Sequence, residues 1–306
     1  MGSYFAKIAR ALYGVTIGFN MLWAALLMRL IHLLPMSKRK KQGCSLLLTQ
    51  FAWRCAFLFS PWIQRTCIGN DDDWREIMDL MEECDAKVEK DGGVYKPLFI
   101  LSNHTSFIDT VLFVAAVPSR VLWRCRTYMA SHLYNLPILA TLCRCIGHFP
   151  VYFKSDAEGV FQVDKTRMEA VEKTVDEHLV GGGWLCFFPE GQMNKTPDVL
   201  MPFRYGGIKK AIDMDARMMM FVTCGNTSVW PRKETLGGFP GSVRYTMRLL
   251  ARDGAKALVA ELRARDKPEE KDLADAELLA RYSRDEMQSV YDGLKMGLEL
   301  SGSKVD

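Results

Sequence analysis

Residues 97–109 read PLFILSNHTSFID: a proline, four apolar residues, a polar turn, and the start of a new apolar stretch. A short continuous apolar run bounded by turn signals is the pattern of a strand buried on both faces, as in a parallel sheet. The pattern recurs at Leu122–Ala130, Phe149–Phe153, Trp184–Phe188, Arg217–Cys224 and Val243–Leu250. Between these runs lie helical stretches from about Ser106, near Leu136–Cys145, from about Asp156 to His178, and over about Ile208–Asp213. Alternation of this kind predicts an α/β domain with a central, mostly parallel sheet flanked by helices. Outward from that core, Asp72–Glu89 reads as an amphipathic helix with Trp74, Ile77, Met78, Met81 and Val88 inward, stopped by Gly92-Gly93. Residues 255–265 and about 268–299 also read as helices, the second opened by Pro268.

The first seventy residues have a different character. They hold nine Lys and Arg and no Asp or Glu, so the formal charge of +4 conceals a basic N-terminus and a body of net charge −5. A uniformly basic nucleic-acid-binding domain is thereby disfavoured, and no nucleic-acid partner is expected. Residues 11–28 carry no charge and are just long enough to span a bilayer. Lys38-Arg39-Lys40-Lys41 follows, where a signal peptide would carry a cleavage site. A second apolar segment, residues 44–63, has Arg54 at its centre. On a helix Gln50, Arg54 and Arg65 would share one polar stripe, the pattern of a helix lying in a membrane interface. The sequence therefore divides into a two-helix membrane anchor, residues 1–70, and a body, residues 71–306, with its core at about 95–250 and C-terminal helices at 255–299. Basic charge beside apolar helices points to membrane lipids as partners. Nine scattered cysteines, an odd number without C-x-x-C spacing, predict reduced thiols and no metal site.

The familiar dinucleotide, P-loop and serine-elbow signatures are absent. Chemistry concentrates instead at Asn103-His104-Thr105-Ser106-Phe107-Ile108-Asp109, directly after the first apolar run. His104 and Asp109 lie about 140° apart on a regular helix. They meet only if His104 sits on the strand–helix turn and Asp109 in the first helical turn. There the carboxylate can hold the imidazole in one tautomer and make its other nitrogen a general base. Ser106 and Asp109 equally form a Ser-x-x-Asp capping pattern, which would stabilise the helix start without any catalysis. A second cluster, Phe188-Pro189-Glu190-Gly191, closes the Trp184–Phe188 strand, and Pro202-Phe203-Arg204-Tyr205-Gly206 follows.

Together these stretches resemble the membrane glycerolipid acyltransferase family, marked by N-H-x4-D, a Gly-x-x-Pro/Phe-Val strand, F-P-E-G and P-F-K/R-x-G. Gly147 to Lys154 resembles the second mark, and Thr223 to Pro231 loosely occupies the place of a fourth, Pro-containing block. The resemblance covers roughly residues 70–250 and extends to the N-terminal two-helix motif. It implies an O-acyltransferase without metal or prosthetic group, moving an acyl chain from acyl-CoA (or acyl-carrier protein) to the hydroxyl of lysophosphatidate. His104 and Asp109 would be catalytic. Asn103, Glu190 and Gly191 are expected at the substrate site, and Lys154, Lys195 and Arg204 are the candidate phosphate ligands. A membrane-associated enzyme is implied, its active site on the cytoplasmic or stromal side of the endoplasmic reticulum or an equivalent membrane. The family commonly writes Thr-Arg after F-P-E-G, whereas this chain has Gln192-Met193. Another lysophospholipid acceptor and a phospholipid donor, as in the related transacylases, stay open on that account. A lipid hydrolase and a non-catalytic membrane scaffold are the readings from other classes.

Overall fold

The computed structural model describes residues 2–69, 75–80, 82–83, 96–155, 161–265 and 267–302. In chain order its elements are α1 (Gly2–Leu33), α2 (Lys38–Leu58), β1 (Ile63–Cys67), β2 (Leu98–Ser102), α3 (Ile108–Ala116), β3 (Cys125–Ala130), α4 (Pro137–Ile146) and β4 (Phe149–Val151). There follow β5 (Phe153–Ser155), β6 (Phe161–Val163), α5 (Lys165–Val180), β7 (Trp184–Phe187), α6 (Tyr205–Asp213), β8 (Arg217–Cys224), β9 (Gly241–Ala251), α7 (Ala255–Ala264) and α8 (Asp275–Gly302). Two compact units divide the chain. One comprises Met1–Gly14, Ser60–Phe113 and Phe187–Asp306; the other comprises Val15–Phe59 and Val114–Cys186.

In the first unit the strands run β1-β9-β8-β2. β2 lies parallel to β8, with Ile100 opposite Met219, and β1 parallel to β9, while β8 and β9 are antiparallel. All five residues of β2 and all eight of β8 are buried, as continuous apolar runs require when both sheet faces are covered. Burial of Leu98, Phe99, Ile100 and Leu101 contributes about 1.5–3 kcal/mol for each side chain. α8 adds Leu278, Leu279, Met287 and Leu294 to the core. In the second unit β7, β3 and β4 are mutually parallel, and β5 and β6 form an antiparallel hairpin. The expected mostly parallel sheet flanked by helices is the observed fold.

Several boundaries differ from the sequence reading. The second apolar segment is not one helix: α2 stops at Leu58, and Ile63–Cys67 is the strand β1. Pro61 cannot continue a helix, and it pushes the preceding residue to extended backbone. Arg65 is therefore on a strand, off any helical stripe. Gln50 and Arg54 do share a face of α2, but that face turns to protein. Gln50 is 2% exposed. Its amide donates to the carbonyls of Val114 (2.9 Å) and Val117 (2.7 Å) and accepts from the Ser119 hydroxyl. Arg54 donates to the carbonyl of Ala115. These are the orphan carbonyls at the C-terminus of α3, where a cation also suits the helix dipole.

Elsewhere, Phe161–Val163 is a strand and its helix begins at Lys165, capped by Asp164; the expected start near Asp156 lies outside the described residues. Pro268 opens only a short 3-10 turn, and the last helix starts at Asp275. Of the helix expected over Asp72–Glu89, residues 75–80 and 82–83 are helical with Ile77 buried; Trp74, Met81, Val88 and the Gly92-Gly93 stop lie outside the described residues.

The N-terminal helix α1 is long and apolar enough over Tyr4–Leu33 to cross a membrane, with mean hydropathy 1.6. Tyr4, Phe5, Leu12, Val15, Phe19 and Leu22 leave much of their surface exposed along it. Its first turns are tied to residues 230–239: Arg10 pairs with Glu234 at 2.6 Å, donates to the Leu236 carbonyl and stacks over Phe239, and Tyr13 meets Trp230 edge-on. In the second unit two histidines are held neutral by their surroundings. His148 Nδ1 accepts from the Thr127 N–H, and burial beside Arg126 and His178 pushes its pKa down to about 3. His178 contacts the carbonyls of Arg124 and Trp184, and burial with Arg126 nearby pushes it down to about 4. All eight described cysteines are free thiols.

Candidate active site

The chain leaves β2 at Ser102 and enters α3 at Ile108, and the intervening turn brings His104 and Asp109 together. His104 Nδ1 lies 3.1 Å from Asp109 Oδ2. That oxygen already accepts the backbone N–H groups of Thr105 (2.6 Å) and Ser106 (2.8 Å), and Oδ1 accepts from Asn226 Nδ2 at 2.5 Å. An oxygen facing two N–H donors can only accept from the ring as well. The neutral imidazole therefore carries its proton on Nδ1, which leaves Nε2 as its acceptor nitrogen. Asp109 is 0% exposed, whereas the His104 side chain keeps 19% of its surface. The ring stacks on Phe188, centroids 4.1 Å apart and planes within 16°. The carboxylate closes the helix start through the Ser106 N–H, as the capping reading expects, and contacts the histidine ring, the geometry the catalytic reading requires.

The strand end at Phe188-Pro189-Glu190-Gly191 holds the histidine's backbone. Glu190 is fully buried, its Oε1 accepting from the His104 N–H and its Oε2 from the Met201 N–H, each at 2.9 Å. Burial raises the Glu190 pKa, and the two N–H contacts oppose that rise. The Asn194 N–H donates to the His104 carbonyl at 2.6 Å, so residues 190–194 grip both backbone groups of His104. Asn194 also ties its own loop through Thr196 and Val199. From α8, Gln288 and Arg284 fasten the next residues, Asp198 and Leu200. Gly191 adopts φ +72°, and a Cβ there would lie 2.9 Å from Arg204 Cγ; glycine both permits the turn and lets the arginine lie along it.

The remaining expected residues separate. Arg204 and Lys195 are exposed and make no ion pair among the described residues. Lys154 belongs to the second unit, where its exposed ammonium lies 3.4 Å from Asp164. Asn103 is buried and wholly engaged in joining β2 to β8: Nδ2 donates to the Thr223 carbonyl and Oδ1 accepts from the Thr223 N–H, both at 2.9 Å. Sequence reasoning missed Asn226, the Phe188 stack and the bond from the Ser106 hydroxyl to the Trp230 carbonyl at 2.6 Å. Asn226 falls inside Thr223–Pro231, the loosest of the recognised blocks, and only its place after a buried strand pointed to it.

The site thus joins a buried carboxylate, an imidazole held at one nitrogen, and a glycine turn with Arg204 and Lys195 nearby in the chain. Residues 80–225 match the family model described as Acyltransferase. The fold is similar to the crystal structure of the 1-acyl-sn-glycerophosphate (LPA) acyltransferase PlsC from Thermotoga maritima, with a TM-score of 0.60 and 15% sequence identity over 100% of this chain and 99% of that chain. No curated protein matches the chain.

Proposed function

We propose that this acyltransferase esterifies a lysophospholipid, lysophosphatidate first among them, with the acyl group of acyl-CoA. The observation that carries the reading is the His104–Asp109 pair, with Nδ1 held by a buried carboxylate and Nε2 open. Nε2 removes the acceptor's hydroxyl proton as the oxygen attacks the thioester carbonyl. The new C–O bond forms, the C–S bond breaks, and the imidazolium returns its proton to the departing thiolate. On the His104 turn the Phe107 N–H is the candidate oxyanion donor among the described residues. The N–H groups of His104, Thr105, Ser106, Ile108 and Asp109 are all engaged within the protein, as is that of Gly191. The N–H groups of Gln192 and Met193 are the candidates that remain on the neighbouring turn. Arg204 and Lys195 would meet the acceptor phosphate, Arg204 alone offering a bidentate fork. The apolar surface of α1 supports a membrane-associated enzyme that draws its acceptor from the bilayer.

The test is acyl transfer from labelled oleoyl-CoA in membranes containing the full chain, with lysophosphatidate, other lysophospholipids and glycerol 3-phosphate offered in parallel. Phosphatidate that forms with wild type but not with His104→Ala is the expected result. Preference for another lysolipid would move the acceptor assignment. Absence of any His104-dependent product would overturn the reading.

A further inference from the structure

We infer that Asn226 is a positioning residue of the catalytic pair: its side-chain N–H fixes the Asp109 carboxylate that orients His104. The inference rests on the general-base reading above and extends it by one residue, 117 positions downstream.

The chain is forced into this contact. β8 ends at Cys224, and Gly225 turns the backbone with φ +87°; a Cβ there would lie 2.3 Å from the Ser242 carbonyl oxygen, a backbone atom that cannot yield. Glycine is thus required, and the turn it makes starts the single helical turn Asn226–Val229. Asn226 enters it 1% exposed, with Nδ2 at 2.5 Å from Asp109 Oδ1. An amide beside a carboxylate has one admissible orientation, with the N–H inward, because oxygen facing oxygen would repel.

A contrast between two buried asparagines shows what this amide is for. Asn103 engages both ends of its amide on Thr223, as a structural asparagine does. Asn226 engages only its N–H: Oδ1 is buried without a partner among the described residues. Without Asn226, the three donors on Oδ2, from Thr105, Ser106 and His104, leave Oδ1 unanchored and the carboxylate plane free to turn. The titratable groups gathered at this point are His104, Asp109 and Glu190.

The full-length enzyme, its His104→Ala form, Asn226→Ala and Asn226→Asp are compared for kcat, both KM values and thermal unfolding between about pH 5.5 and 8.5, a window spanning histidine titration. Asn226→Ala is expected to lower kcat about 10–100-fold, the scale of a displaced catalytic group, with both KM values held within about twofold. Asn226→Asp keeps the shape and donates the same bond while its carboxyl is protonated. Its activity relative to wild type should therefore fall as pH rises, a trend that a loss of folded protein does not produce. Asn226→Ala with wild-type kcat, or Asn226→Asp tracking Asn226→Ala at every pH, overturns the inference while an intact His104 dependence preserves the general-base reading. Turnover indifferent to His104→Ala removes both.

Discussion

Around His104 most polar atoms are buried and matched, whereas the cations Lys195 and Arg204 stand in solvent on the loop just beyond. His104 is gripped at Nδ1, at its N–H and at its carbonyl, by Asp109, Glu190 and the Asn194 backbone. Lys195 and Arg204 are exposed, and the Arg204 side chain lies along the Gly191 turn. The difference separates two tasks. On the proposed mechanism proton transfer, which tolerates little displacement, would be built into the core, while recognition of a headgroup would fall to side chains that can be exchanged without disturbing the fold.

That comparison breaks most visibly at the base. His104→Ala should lower kcat by about 10²–10⁴-fold, and Asp109→Asn should approach it, while both proteins still bind membranes. Steady-state transfer at equal expression checks this, and a residual activity near wild type would remove the rigid side of the contrast. Glu190→Ala comes next. It leaves the buried N–H groups of His104 and Met201 unpaired, at about 1–3 kcal/mol each, and should lower thermal stability together with kcat. An unfolding scan beside the kinetics would show whether the two losses travel together. Arg204→Ala should raise the acceptor KM about 3–10-fold with stability unchanged, Lys195→Ala less, and Lys154→Ala least because its ammonium already faces the buried carboxylate of Asp164. A lysophosphatidate titration against a zwitterionic lysolipid would sharpen the result, since only the phosphate monoester should feel the change.

One expected effect lies away from the chemistry. His148 and His178 have folded-state pKa values near 3 and 4, below the ordinary 6.5 of an unfolded chain. The unfolded state therefore binds protons first as pH falls. Stability that is full above about pH 6.5 should decline toward pH 4 with a slope approaching about 1.4 kcal/mol per pH unit for each histidine. Denaturant unfolding at pH 7 and pH 5 measures it, and replacing both histidines with Gln should flatten the difference.

Much of this molecule can be read from the chain alone where the signal is local. Continuous apolar runs located β2, β7 and β8, and the turn after β2 disclosed how His104 and Asp109 could meet. What escaped depends on partners distant in sequence. Asn103 belongs to Thr223, 120 residues on, and nothing at its own position distinguishes a strand staple from a substrate contact. Gln50 and Arg54 show the same difficulty in reverse. Their helical spacing suits an interfacial stripe, but the carbonyl end of α3 lies more than sixty residues later and takes both. β1 was absorbed into a helix because its apolar start, Trp62-Ile63, continued the preceding run past Pro61.

The caps that α2 places on α3 have a practical meaning for anyone wishing to obtain this protein without its N-terminal helices. α3 is a nine-residue helix whose opening turn contains Asp109 and whose far end is closed by Gln50 and Arg54. Deleting residues 1–59 would open that far end, and would also release Arg10 from Glu234 beside the segment that receives the Ser106 hydroxyl at Trp230. A version shortened in this way should therefore lose turnover and not only its apolar N-terminus. On the proposed reading the N-terminal helices and the histidine turn are inherited as one piece.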